Sequence, residues 1–140
     1  PAVGVTVNQP LDTVASLLEQ GIIDIAQLHG QEDDAYIQAL QARTGKPVWK
    51  AFRIRSAADL QAARDSSADM VLLDNGYTFD WTLVRDIGRP FILAGGLREE
   101  NIQDAANMQP DTMDISSGAE TNRAKDPEKI RTLINIIRSI

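Results

Sequence analysis

Two short runs of small residues, Gly95-Gly96 and Ser116-Ser117-Gly118, each close a stretch of apolar residues. Small side chains let the backbone approach an anion, and N–H groups aimed at its oxygens hold a phosphate. Either run alone is more often an ordinary turn; it is their placement after successive apolar runs that points to one shared anion. Asp74 ends the run Val71-Leu72-Leu73. A carboxyl emerging from low-dielectric surroundings keeps its proton more readily, which suits general-acid work, although a strand-end aspartate commonly just caps a turn. Asp114 falls within the last apolar run, where a carboxylate needs a partner, and its plain reading is a structural ion pair. His29 is the one histidine, more often a hydrogen-bonded strand-end residue than a catalyst. One histidine and no cysteine leave no metal site, thiolate nucleophile or disulfide, so no metal is expected.

The bulk properties narrow the partners. A formal net charge of −6 opposes duplex binding, which draws its affinity from lysine and arginine on phosphates, so nucleic acid is not expected. With 43% hydrophobic and 24% charged residues the chain reads as soluble and globular. No apolar run approaches the ~20 residues that cross a bilayer. The first residues have neither the basic start nor the apolar stretch of a secretory signal, and the expected compartment is cytoplasmic. The expected ligand class is a small phosphorylated molecule.

The elements that would position these groups alternate along the chain. Residues 3–7 form a β-branched run that stops at Asn8-Gln9-Pro10. A helix follows, with Leu11, Val14, Leu17 and Leu18 at helical spacing, Asp12 as N-cap and Gly21 as stop. The pattern recurs as strand 22–28 and helix 33–44, strand 46–54 and helix 56–64, strand 68–73 and helix 78–87, strand 90–94 and helix 99–108, then strand 113–115 and helix 126–140. In every unit the polar and glycine residues come straight after the strand. They therefore gather at the strands' carboxyl ends, where parallel α/β proteins bind ligands.

Such alternation requires a parallel sheet, since only crossover connections follow each strand with a helix. The chain reads as one α/β domain over residues 1–140 with about six βα units. Its length fits an open doubly wound sheet and falls short of the ~200 residues of a small complete (βα)8 barrel. The site residues favour a wall derived from that barrel, an incomplete TIM barrel.

Several phrases in order resemble phosphoribosylanthranilate isomerase: residues 3–8, Gln27-Leu28-His29-Gly30, Leu72-Leu73-Asp74 with Thr78-Phe79-Asp80-Trp81, Leu93-Ala94-Gly95-Gly96-Leu97 with Glu100-Asn101, and Asp114-Ile115-Ser116-Ser117-Gly118-Ala119-Glu120 with Lys125-Asp126. The resemblance implies an enzyme of tryptophan biosynthesis that performs a cofactor-free Amadori rearrangement of N-(5-phosphoribosyl)anthranilate. It implies Asp74 as general acid, Gly95, Gly96, Ser116, Ser117 and Gly118 as the phosphate site, and His29 and Asp114 as lining of the substrate cavity. An epimerase of the sugar-phosphate class would share the two phosphate turns, but not the run from Asp114 to Glu120.

The chain departs from the family pattern in two ways. The family begins with two further βα units, the first carrying a cysteine that acts as base, so residues 1–140 match units three to eight. Such a wall is expected to relax into an open sheet, or to pair with another copy or with a complementing front segment. Weak or absent turnover is expected of it, leaving a stable scaffold that keeps phosphate affinity. Secondly, the family has a Gly-Thr-Gly-Lys-like loop before Thr-Phe-Asp-Trp, whereas here Gly76-Tyr77-Thr78 joins directly.

Overall fold

The computed structural model describes residues 1–76 and 84–140. The elements run β1 (Val3–Thr6), α1 (Leu11–Glu19), β2 (Ile25–Leu28), α2 (Asp34–Thr44), β3 (Val48–Arg53), α3 (Ala57–Asp65), β4 (Met70–Asp74), β5 (Phe91–Ala94), α4 (Ile102–Ala106) and β6 (Thr112–Met113). A hairpin of β7 (Glu120–Thr121) and β8 (Ala124–Lys125) precedes α5 (Pro127–Arg138). The helix expected over 78–87 lies largely outside the described residues, and so does the junction after Gly76.

The six main strands are parallel and stand side by side in chain order, β1 to β6. A doubly wound sheet reverses its strand order at a switch point. An unreversed order is instead the winding of a barrel wall, and it settles the choice that length leaves open. The wall is curled: Val3 and Val5 of β1 line the same hollow as Thr112 and Met113 of β6. β1 and β6 are the two edges of this sheet, and Val3 and Val5 stay exposed.

Strand periodicity divides the side chains between two faces. Ala26, Leu28, Val48, Val71, Leu73, Phe91 and Leu93 turn outward and pack under the helices, against Val14, Leu18, Ile37, Leu40, Leu60, Ile102 and Leu133. The concave face carries a smaller cluster of Leu72, Ile92 and Ala94 with Trp49, Ala51 and Met70. β4 and β5 are buried on both faces, which is why their sequences are almost continuously apolar.

Local signals fix most element ends. The Asp33 carboxylate accepts from Tyr36 N–H at 2.9 Å, the Ser56 hydroxyl from Asp59 N–H at 3.3 Å, and the Asp126 carboxylate from Glu128 N–H at 2.9 Å. Asp12 does not cap α1. Pro10 occupies that position without a side-chain bond, while Asp12 sits in the first turn and pairs with Arg43 of α2. The helix expected over 99–108 shortens to Ile102–Ala106, because Arg98 N–H bonds the Asn101 side chain at 2.8 Å and the chain turns before it coils. β6 ends at Met113, so Asp114 stands just past the strand rather than inside it, although its N–H still reaches Leu93 O at 2.9 Å. The β7–β8 hairpin has no counterpart in the sequence pattern. Its turn residues Asn122 and Arg123 both take positive φ, a geometry usually advertised by Asn-Gly.

Arg89, just ahead of β5, ties the end of α3 to the sheet. Its guanidinium donates to the carbonyls of Ala63 (3.2 Å), Arg64 (3.3 Å), Ser66 (2.7 Å) and Ala68. Removing it strands several part-buried carbonyls, so Arg89→Ala is expected to cost about 1–3 kcal/mol in urea denaturation. The solvent-exposed pair of Arg131 with Glu128 serves as the control, and Arg131→Ala should change stability by about 0.5 kcal/mol or less. Equal effects would contradict this role for Arg89.

Candidate active site

Because every strand of the wall points the same way, the residues that follow them meet on one rim. His29 after β2, Asp74 at the end of β4, Gly95, Gly96 and Leu97 after β5, and Asp114, Ser116 and Ser117 after β6 line one cleft of about 250 Å³, floored by Leu72 and Ala94. Asp74 pairs in register with Arg53 on one side and Ala94 on the other. Its Oδ1 accepts from Gly76 N–H at 3.1 Å.

Two close backbone approaches hold the cleft together. Gly95 has φ +89, and a Cβ there would collide with Asp74 Oδ1 and approach the N–H groups of Asn75 and Gly76. The turn after β5 thus lies directly on the carboxyl of β4. Gly118 is packed onto the Leu97 carbonyl so closely that no Cβ fits. The turn after β6 thereby rests on the turn after β5. Among the described residues, the backbone N–H groups of Gly95, Gly96, Leu97, Ser116, Ser117 and Gly118 have no protein acceptor. The five of these that border the cleft, all but Gly118, can receive an anion with several oxygens. Gly118 itself does not line the cleft; its place is at the contact between the turns.

His29 is joined to the concave layer by Gln27, whose Oε1 lies 2.7 Å from Nε2. Gln27 is 6% exposed, and one strand period separates it from His29 on the same face of β2. The sequence motif contains Gln27 without assigning it a role, and the i, i+2 spacing is the signal that could have found its contact with His29. Burial lowers the His29 pKa below its ordinary 6.5 and the Lys50 ammonium lowers it further, while Asp114, Asp74 and Glu32 pull the other way.

Other rim residues are occupied elsewhere. Asn8 takes φ +50; its Oδ1 accepts from Gln31 N–H at 2.6 Å, and its N–H donates to Glu32 at 3.1 Å. It fastens the ends of β1 and β2 and does not line the cleft. Lys50 is buried, its Nζ donating to Gly30 O at 2.8 Å and Ala51 O at 3.0 Å, with burial lowering its pKa. With Arg53 and Arg55 it borders a separate groove of about 520 Å³, which the sequence does not announce. Among the described residues no group of three or more acidic or histidine side chains is placed to hold a metal ion, and no helix is long and apolar enough to cross a membrane.

Gly118→Ala should destabilise the fold by about 1–3 kcal/mol more than Gly45→Ala in urea denaturation. At Gly45 the positive φ is the only obstacle, because nothing lies within 4 Å of the added carbon. Equal losses would mean that the two turns do not touch. His29, being the one histidine, should give a single imidazole titration by NMR with a midpoint below 6.5. The sign follows by linkage. The unfolded chain takes up its proton first as pH falls through about 6.5, so this residue's share of stability is intact above that value. It declines below it until the folded-state midpoint is passed. A midpoint at or above 6.5 would mean that the carboxylates of Asp114, Asp74 and Glu32 outweigh burial and the Lys50 ammonium.

The whole chain also matches known proteins. A family model described as N-(5'phosphoribosyl)anthranilate (PRA) isomerase matches residues 1–136. The N-(5'-phosphoribosyl)anthranilate isomerase of Endomicrobium trichonymphae is 41% identical, over 99% of this chain and 73% of that protein. The crystal structure of phosphoribosyl anthranilate isomerase from Thermotoga maritima superposes with a TM-score of 0.87 at 30% identity, covering 99% of this chain and 73% of that one. A phosphoribosyl anthranilate isomerase in complex with reduced 1-(o-carboxyphenylamino)-1-deoxyribulose 5-phosphate superposes at 0.85 with 30% identity, over 99% and 71% of the two chains. A 3-hexulose-6-phosphate synthase from Salmonella typhimurium, 19% identical with a TM-score of 0.72, shares the fold. In sequence and in strand winding alike, this chain belongs to the phosphoribosylanthranilate isomerase family of tryptophan biosynthesis.

Proposed function

We propose that these residues form the acid and phosphate side of an active site for the rearrangement of N-(5'-phosphoribosyl)anthranilate. The observation that carries the reading is the single cleft shared by Asp74 and the two turns, whose N–H groups have no protein acceptor among the described residues. The phosphate sits against Gly95, Gly96, Ser116 and Ser117, with Gly118 keeping the turns in contact. Fixed N–H dipoles in a partly enclosed site reorganise little when they receive the dianion.

Anchoring the phosphate brings the ribose over Leu72 and Ala94, within reach of the Asp74 carboxyl. Asp74 gives its proton to the ring oxygen as the bond from that oxygen to C1 breaks, and the aniline nitrogen lone pair forms the protonated Schiff base. A base then removes the C2 proton, and the C–H electrons make the C1–C2 double bond of the enolamine while the iminium returns to an amine. Asp114 and His29 line the sugar's path. His29, neutral near pH 7 by its lowered pKa, serves there as a hydrogen-bonding group rather than a fixed cation. No cysteine occurs among the 140 residues, so the thiolate base implied by the family resemblance is not drawn from them. Turnover by these residues alone is expected to fall about 10²–10⁴-fold below that of a site with its base.

The test combines binding with turnover. Titration with the reduced product analogue should move the amide signals of Gly95, Gly96, Ser116 and Ser117. Asp74→Asn should keep that binding within about threefold while lowering turnover by a further ~10²-fold or more, followed by the loss of anthranilate-type fluorescence. Shifts that avoid both turns, or an Asp74→Asn variant as fast as its parent, would overturn the assignment.

A further inference from the structure

The two turns share a device that the proposed reaction does not use. In each, one carbonyl is engaged by a side chain from the segment that follows. Asn101 Nδ2 donates to Gly96 O at 2.9 Å, and the same side chain accepts from Arg98 N–H at 2.8 Å through Oδ1. Lys125 Nζ donates to Ser116 O at 3.1 Å, and that oxygen also accepts from Ala119 N–H at 3.1 Å. A trans peptide is planar, so its C=O and the following N–H point in opposite directions. Fixing Gly96 O therefore fixes the direction of Leu97 N–H, and fixing Ser116 O fixes that of Ser117 N–H. Leu97 and Ser117 both line the cleft, and among the described residues neither N–H has a protein acceptor.

We infer that Asn101 and Lys125 are positioning residues, which aim the N–H groups of Leu97 and Ser117 at a phosphate by holding the preceding carbonyls outward. The inference rests on the phosphate reading of the cleft and adds two residues outside its lining.

The rest of the hairpin is built to hold Lys125 in place. Asn122 and Arg123 at positive φ close a two-residue turn that brings Lys125 opposite Glu120, whose carboxylate receives Nζ at 2.6 Å. Thr121 hydroxyl donates to Asp126 at 2.7 Å, and Lys129 Nζ of α5 donates to Glu120 O at 2.7 Å. The hairpin is thereby fastened through both residues of β7 to the start of α5. Lys125 is more than half exposed, and an exposed ion pair contributes little to stability. Its cost in ordering a hairpin is better explained by what its ammonium does to Ser116 O. Glu120 matters to this arrangement because it neutralises the ammonium. Lys125 then acts on the anion through the peptide rather than as a free charge.

The probe is ribose 5-phosphate, followed by amide shifts and by its dissociation constant, on the protein and on Lys125→Met, Lys125→Arg and Asn101→Ala. Lys125→Met should weaken binding about five- to tenfold with an unchanged melting temperature, and Lys125→Arg, which still donates, should restore most of it. The weakening should persist at about 0.5 M NaCl, where attraction between distant exposed charges is screened. Asn101→Ala should weaken binding similarly at the other turn. Equal affinity of Lys125→Met and parent, or a loss that salt erases, would overturn the inference while leaving the phosphate site intact. Absence of shifts at Gly95 and Ser117 in the parent would instead overturn the phosphate reading itself.

Discussion

The arrangement depends on one constraint: the two turns that follow β5 and β6 touch through their backbones, and the first also lies on the carboxyl at the end of β4. A side chain at Gly118 would occupy the place of the Leu97 carbonyl, and one at Gly95 the place of Asp74 Oδ1. Three consecutive strands are thereby joined at their carboxyl ends by backbone contact. Distances that would otherwise depend on flexible side chains are set by peptide geometry. An acid and a set of anion-binding donors then face the same small volume, which is the condition for a group held at one end of a sugar to place its other end at a proton donor.

The rest of the molecule serves that rim. Parallel strands put every βα connection at the same end, and burial of β4 and β5 on both faces packs the strands bearing the acid and the first turn from two sides. Arg89 and the Asn8–Glu32 fastening act away from the cleft, tightening the seams between neighbouring units. Electrostatics near the cleft are kept moderate. The buried Lys50 ammonium is engaged by two carbonyls, and it adds to the effect of burial in lowering the His29 pKa against Asp114, Asp74 and Glu32.

Much of this is legible in the sequence, for identifiable reasons. Elements with local start and stop signals, such as Asp33 with Gly45 for α2 or Asp126-Pro127 for α5, stand within a few residues of where the pattern places them. The co-location of Gly95, Ser117, Asp74 and Asp114 follows from parallel strands alone, with no knowledge of side-chain contacts. What escapes the sequence depends on tertiary partners. Asp12 forfeits its expected cap to Arg43, on another helix. The Gln27–His29 contact needs the face of β2 to be known. The carbonyl holds by Asn101 and Lys125 depend on a hairpin whose Asn-Arg turn carries almost no sequence signal. Strand order is undecidable from alternation, since both parallel architectures produce it.

A crystal structure of the chain with ribose 5-phosphate bound is the most direct test. The account predicts the phosphate between the turns, its oxygens within about 3 Å of the N–H groups of Gly96 and Ser117, and the ribose directed toward Asp74. A phosphate bound instead in the groove of Lys50, Arg53 and Arg55, with the cleft of Asp74 left to solvent, would contradict it.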